Sequence, residues 1–336
     1  MADLTQERIN AFIKDYKQDQ LSSEAALTAI SNTYHRFESS IYDAAHPDIW
    51  RNRSFLKQSV QDYVLANKNQ PISILDLGCG TGFVTECLLE LNAPEQISSI
   101  TLFDISADMV AMAAKKLARS PVPLHFFSGV GSIAQVQEQP YDLVLSNAVL
   151  HHIADLASFC SLVDKLVKPG GHYIAGHEPN ASFYKNELLQ QESNRFRKFK
   201  RAQSRRSINY WLFKLGLRKS VAATPYMDIA KMSNEALLAE AIIRQPIPVL
   251  YLPKLIDIHV PITDFDEQPW GEPGFEAEDF AGRFLPNFSV VAIKTYSHIK
   301  DNLAEQYTYW KKLTRELQQK FPNDGADLLM IFQKSA

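Results

Sequence analysis

This sequence predicts an α/β fold: a doubly wound, mostly parallel seven-stranded sheet, with leading helices and a mostly helical insertion after the fifth strand. Three observations predict it. Ile72, Ile74, Leu75 and Leu77 form a short apolar run rich in β-formers, and it stops at three alternating glycines. Beyond Gly82, Phe83, Val84, Cys87, Leu88 and Leu91 recur at helical spacing, so strand, glycine turn and helix follow in order. Six further short apolar segments, at 97–103, 124–127, 141–146, 172–177, 288–296 and 326–332, mostly alternate with helical patterns. That alternation is the mark of a parallel sheet.

On this reading residues 1–70 form a helical N-terminal cap and 71–179 the core with its binding loop. Residues 180–274 are a basic helical insertion or lid, and 275–336 complete the sheet. In the cap, Ile9, Phe12, Ile13 and Tyr16 mark one helical stripe. Leu27, Ile30, Tyr34 and Phe37 mark another, after Ser22 and Ser23 as N-cap candidates. Pro47-Asp48 opens a third, with Trp50, Leu56, Val60 and Val64 spaced for burial.

The glycine turn reads Asp76-Leu-Gly78-Cys79-Gly80-Thr-Gly82. A dinucleotide loop has G-x-G-x-x-G, so the third glycine here arrives one residue early. A phosphate loop would add a Lys-Ser/Thr pair, and none follows. Asp76 instead brings an acid near the loop, which suits a cationic ligand better than a phosphate chain. Cys79 is read as a small residue filling a tight turn. Asp104, 22 residues past Gly82, ends the second strand where a dinucleotide fold places its ribose-binding acid.

With D-x-G-C-G-T-G followed by that acid, the chain resembles the class I, Rossmann-like S-adenosylmethionine-dependent methyltransferases. The resemblance covers residues 70–179 by motif and 275–336 by pattern. It implies S-adenosyl-L-methionine as cofactor, held by Asp76, Gly78, Cys79, Gly80 and Gly82. Asp104 would take the ribose hydroxyls and Ile105 would lie against the adenine. The family usually has Gly-Asp-Ala after the third strand, whereas this chain has Gly129-Val130-Gly131. Adenine recognition is therefore left to backbone groups around Val130 or to another side chain. Asn147, in the fourth motif, falls beside the methionine half of the cofactor. Leading helices often cover the cleft in this family, a role open to Tyr34, Phe37 or Tyr42 beside ordinary packing.

Methyl transfer from a sulfonium needs chiefly an acceptor held close and in line. A general base matters when the acceptor must lose a proton. His151, His152, His177 and Glu178 are the candidates, because the fourth and fifth strand ends converge there. His151 is the first choice, with His177 and Glu178 beside it. No third ligand with sensible spacing accompanies His177 and Glu178, so no metal is expected.

Composition narrows the function classes. Hydrophobic content of 46% and charged content of 22% suit an ordinary globular chain. No apolar run has membrane-span length, the N-terminus is polar, and the three cysteines lack metal or disulfide spacing. A cytoplasmic enzyme is expected. Residues 180–219 carry eleven Lys/Arg against Glu187 and Glu192, a net +9 in a chain of −3. Seven of them crowd into 195–206, next to the aromatic Tyr210–Phe213.

The leading expectation is a small-molecule methyltransferase whose insertion caps the carboxyl edge and sets acceptor specificity, for an anionic or partly apolar acceptor. A nucleic-acid substrate is disfavoured: Ser146-Asn147-Ala148-Val149 lacks the Asn/Asp-Pro-Pro-aromatic motif of base-amine methyltransferases. The alternatives are RNA methylation through the basic insertion, lipid methylation with peripheral membrane contact through 195–219, and a non-methylating cofactor-binding protein. The acceptor atom and the oligomeric state stay open.

Overall fold

The computed structural model describes residues 2–47, 49–65, 70–91, 94–205, 225–259, 274–301 and 303–336. Seven strands, β1 (Ile72–Leu77), β2 (Ile97–Asp104), β3 (Leu124–Ser128), β4 (Tyr141–Asn147), β5 (Val167–Pro179), β6 (Phe288–Tyr296) and β7 (Asp327–Lys334), form one sheet. Their order is β3-β2-β1-β4-β5-β7-β6. The first five pair in parallel, and β7 runs antiparallel between β5 and β6. Strand order reverses between β1 and β4, and a doubly wound sheet opens its crevice at such a point.

Alternation along β1 shows why the sheet is covered on both faces. Ile72 and Ile74 pack into a cluster with Cys87, Leu88 and Val110. Leu75 and Leu77 enter another with Leu156, Cys160 and Phe280. Successive side chains point to opposite faces, so helices before and after β4 bury both. Asp76 shares its face with Ile74 and therefore points beneath the helix Phe83–Leu89.

The insertion divides, where one cap over the cleft was expected. Its first part, the basic helix Glu187–Arg205, packs Leu189 and Phe196 against Trp310 and Leu317 of the helix Thr308–Lys320. Arg195 lies over the rings of Tyr309 and Trp310, and Lys200 pairs with Asp301 at 2.7 Å. The amphipathic stripe decides this: a helix with Leu189 and Phe196 on one face buries that face against the nearest apolar partner. Its second part, the helices Pro225–Ala239 and Leu252–Ile256, joins the helix Ser23–Glu38 in a separate cluster. The backbone bridge Lys17–Ile243, the Tyr226 hydroxyl donating to Ala45 O, and the Arg36–Glu240 pair fasten the two sequence-distant segments. Tyr210–Phe213 and residues 206–219 lie outside the described residues. Among the described residues no helix is long and apolar enough to cross a membrane.

Candidate active site

Two cavities lie side by side beyond the carboxyl ends of the parallel strands. One, of about 390 Å³, is walled by Gly78, Gly80, Asp104, Ile105, Val130 and Asn147. The other, of about 340 Å³, is walled by His151 and His177 from the strand ends, with Tyr34, Glu38, Tyr226 and Asp257 from the cap. His35, Tyr42, Ala148 and His152 border both.

The glycine loop is tied to the tip of β2. The N–H groups of Gly78 and Cys79 donate to Phe103 O at 2.8 and 3.0 Å. Gly80 N–H donates to Asp104 Oδ2 at 2.9 Å, and Ser106 N–H donates to Asp104 Oδ1 at 2.8 Å. Ser106 is the N-cap of the next helix, through Met109 N–H, so Asp104 is spared for the cavity wall. Gly80 has φ +49°, and a Cβ there would meet no protein atom within 4 Å. At Gly78 a Cβ would stand 2.5 Å from Val149 Cγ2, so that glycine admits the β4 turn instead of a ligand.

The remaining loop expectations separate. Asp76 is fully buried and does not wall the cavity; its Oδ2 accepts the Thr85 N–H and hydroxyl at 3.2 and 2.8 Å. Burial lifts its pKa to about 7 against those hydrogen bonds. Cys79 is buried, its thiol donating to Gly80 O. Gly82 carries the left-handed turn into the helix, at φ +86°.

The first cavity fits S-adenosylmethionine. A carboxylate stands at the β2 tip, apolar walls come from Phe103, Ile105, Met109 and Val130, and Gly80 leaves open space for close approach. Val130 is 61% exposed and offers an apolar surface on the cavity wall. Asn147 adds an amide whose Nδ2 is buried and has no partner among the described residues, while its Oδ1 accepts from Asn52. Sequence reasoning gave no role to Asn52.

The second cavity is built on Glu178. This fully buried carboxylate accepts the Val149 and Leu150 N–H groups through Oε1, both at 2.9 Å. Its Oε2 takes the His151 N–H at 3.1 Å and His151 Nδ1–H at 2.8 Å. Against the cost of burial, His151 and those backbone donors hold the carboxyl below the ordinary glutamate range. Burial, then the neighbouring His152, push His151 below the ordinary histidine value, although Glu178 pulls the other way. The imidazole is thus neutral near pH 7 and protonated at Nδ1. Its Nε2 has no partner among the described residues and keeps its lone pair.

His177 stands on the other wall and shares a hydrogen bond with the Tyr296 hydroxyl at 3.0 Å. Glu178 orients, with no surface on either cavity. Ala148 and His177, at the ends of β4 and β5, both have left-handed backbone, φ +58° and +57°. Such strain costs on the order of 1–3 kcal/mol per residue and gathers at functional sites.

The cap adds what the motifs did not reveal. Glu38, 2% exposed, accepts from His35 Nδ1 at 3.2 Å and His46 Nε2 at 2.8 Å. Burial raises its pKa, but the two histidines outweigh that and bring it to about 2. Asp257 meets His152 Nδ1 at 3.2 Å, and Ile256 O meets the same nitrogen at 3.0 Å. Ligand atoms of His151, His152 and Asp257 lie within 4.8 Å of one another, close enough for a cation. Both rings, however, already commit Nδ1 to a carboxylate. The sequence signal for His35 and Glu38 was only their spacing of three on one helix, and His46, at the end of the next short helix, gave none.

A family model described as a methyltransferase domain matches residues 49–220, just over half of the chain. The chain is 34% identical over 116 residues to malonyl-[acyl-carrier protein] O-methyltransferase of Priestia megaterium, covering 34% of this chain and 40% of that one. It is 34% identical over 101 residues to a ubiquinone biosynthesis O-methyltransferase of Serratia proteamaculans, covering 30% of this chain and 40% of that one. These matches thus span less than half the length of either relative. Among solved structures, the carbon methyltransferase CurJ is 13% identical over 84% of this chain and 54% of that one, with a TM-score of 0.45.

Proposed function

Because the chain belongs to the class I S-adenosylmethionine-dependent methyltransferase family, we propose that it methylates a small-molecule acceptor held in the histidine-walled chamber. One observation carries this reading: the loop cavity and the chamber share His35, Tyr42, Ala148 and His152 as a common border. A cofactor on one side and an acceptor on the other would meet across it.

Bound at the glycine loop, S-adenosylmethionine supplies the methyl as a sulfonium electrophile with a neutral leaving group. Asp104, Ile105, Val130 and Asn147 hold and orient it. Gly78, Gly80 and Gly82 shape the loop, while Asp76 and Cys79 support it from behind. His151 Nε2 takes the acceptor's proton, and Glu178 stabilises the imidazolium that forms. A base of this kind is needed for a hydroxyl or an acidic C–H. The tyrosines 34, 42 and 226 suit an acceptor with an apolar or aromatic body. The cap segments 1–70 and 225–259 supply that selectivity.

The test is transfer of labelled methyl from S-adenosylmethionine into a metabolite extract, with cofactor binding measured by calorimetry. Label should enter a small molecule, and His151→Ala should cut transfer ~10²–10⁴-fold while still binding cofactor. Cofactor binding with no transfer to any extract would instead mark a protein that uses the cofactor otherwise.

A further inference from the structure

We propose that His152, held by Asp257 of the cap, is the group that receives the negative charge left on the acceptor when His151 removes its proton. This rests on the reading above and names the acceptor class: a molecule whose deprotonated form is an oxyanion, phenolate or enolate.

The geometry is that of two adjacent imidazoles given opposite tasks. His151 and His152 stand with ring centroids 4.1 Å apart, each with Nδ1 turned to a different carboxylate. Glu178 lies under the sheet edge with four donors on it, so it fixes His151 from the core side. Asp257 arrives from a segment more than a hundred residues away and is 42% exposed, so it fixes His152 from the cap side. Both rings wall the chamber, and His152 alone of the pair also borders the cofactor cavity. A proton carried on His152 therefore lies at the border where the acceptor's reacting atom must stand.

The charged groups around His152 support the division of labour. His35 approaches from the helix Ser23–Glu38, ring to ring at 5.8 Å, and Asp104 acts from the loop side. His151 and Glu178 lie behind it, Asp257 and His259 in the cap. Burial opposes charge on His152, but Asp257 and the Ile256 carbonyl outweigh it and raise the pKa, opposite in sense to His151. Neighbouring groups whose environments drive their pKa values apart divide into acid and base. The proton passes from acceptor to His151 Nε2, and the electron pair it leaves rests on the acceptor oxygen against the N–H of His152 Nε2. After transfer His151 returns its proton to solvent, and His152 keeps its own throughout.

The experiment is an NMR titration of histidine-labelled protein, alone and with each of two probes: 4-nitrophenol for a phenolate, acetylacetone for an enolate. His152 should hold its proton above the ordinary value of about 6.5, and His151 should lose its proton below it. The probe that matches the acceptor class should raise the His152 midpoint by about one pH unit while its own ionisation midpoint falls. Asp257→Asn should lower the His152 midpoint and remove the probe response, with a smaller downward shift of His151, which Asp257 also raises; His152→Gln should remove the response as well. Response to one probe only tells phenolate from enolate. The proposal is overturned if His152 titrates with or below His151, if neither probe responds, or if the response survives either substitution. A response seen only with added zinc would make the three residues a cation site and also overturn it. Calorimetry of S-adenosylmethionine on the same samples reports folding and separates this failure from failure of the methyltransferase reading.

Discussion

Glu178 and His151 are joined at 2.8 Å by a hydrogen bond whose acceptor also gathers the backbone N–H groups of Val149, Leu150 and His151 itself. One buried carboxylate therefore sets both the course of the turn after β4 and the tautomer of the ring that follows. Its backbone role and its proton role can be parted. Glu178→Gln keeps an amide oxygen for the Val149 and Leu150 N–H groups, but it puts an NH2 where His151 finds its acceptor and loses the charge that stabilises an imidazolium. Turnover should fall about 10–10²-fold, against ~10²–10⁴-fold for His151→Ala. Calorimetry should show S-adenosylmethionine affinity little changed in both. Wild-type turnover in either would leave the pair as structure alone.

The pH dependence follows from the depressed His151. A base must be neutral to act, so kcat should be full above its pKa and fall as pH drops through it. The acid limb should therefore lie below the ordinary histidine midpoint of about 6.5. In Glu178→Gln the limb should move lower still, since the pull that raises the His151 pKa is gone. A limb above 6.5 in wild type would contradict the assignment.

Glu38 makes a stability prediction of the opposite kind. Its pKa falls from 4.5 to about 2 on folding, so its contribution is complete above about 4.5 and is lost as pH falls toward 2. Glu38→Gln should flatten that acid-side loss, which is on the order of 2–3 kcal/mol for a carboxylate so depressed. Urea unfolding at a series of pH values from 2 to 6 checks it.

Asp104→Ala should weaken S-adenosylmethionine binding by ~1.5–3 kcal/mol, as for a charge-assisted hydrogen bond. Part of that loss belongs to the loop, because Gly80 N–H and Ser106 N–H lose their acceptor. Asp104→Asn, which retains one acceptor oxygen and so one of the two loop bonds, narrows the loss toward the ligand contribution. Calorimetry showing equal affinity for wild type and both variants would remove Asp104 from the site.

Gly80→Val and Gly78→Ala should fail differently. At Gly80 the new side chain enters open space on the cavity wall, so binding should be lost while left-handed strain costs only about 1–2 kcal/mol of stability. At Gly78 the Cβ meets Val149, whose N–H is held by Glu178, so the chemical side is displaced as well. Thermal unfolding should show the larger loss for Gly78→Ala, although it adds the smaller side chain.

Period and local chemistry were enough for the core. Apolar residues at period two, then at three and four, mark β1 and the helix after it with no long-range knowledge. The glycines of the loop and the acid at Asp104 declare themselves in the same way, because their reasons are local: a turn, a close approach, a strand end. Val130 and Asn147 came instead from the family resemblance, and both wall the loop cavity. His151, His177 and Glu178 were also legible as a group, since parallel strands deliver their carboxyl ends to one edge.

Which of those three work together was not legible, because it depends on side-chain direction at strand ends that leave the regular pleat. His177, with left-handed backbone, turns to Tyr296, and Glu178 turns beneath the β4 turn to reach His151. Asp76 shows the same limit: one residue of pleat decides whether an acid faces a ligand or the helix beneath the loop. The insertion shows it at larger scale. Its charge and helical stripes are sequence properties, but two apolar stripes on one segment found separate partners, the C-terminal helix and the N-terminal cap. Only that tertiary choice brought Glu38 and Asp257 to the chamber. Apolar burial is non-directional, so the sequence alone determined that those faces must be covered, and the folded chain decided by what.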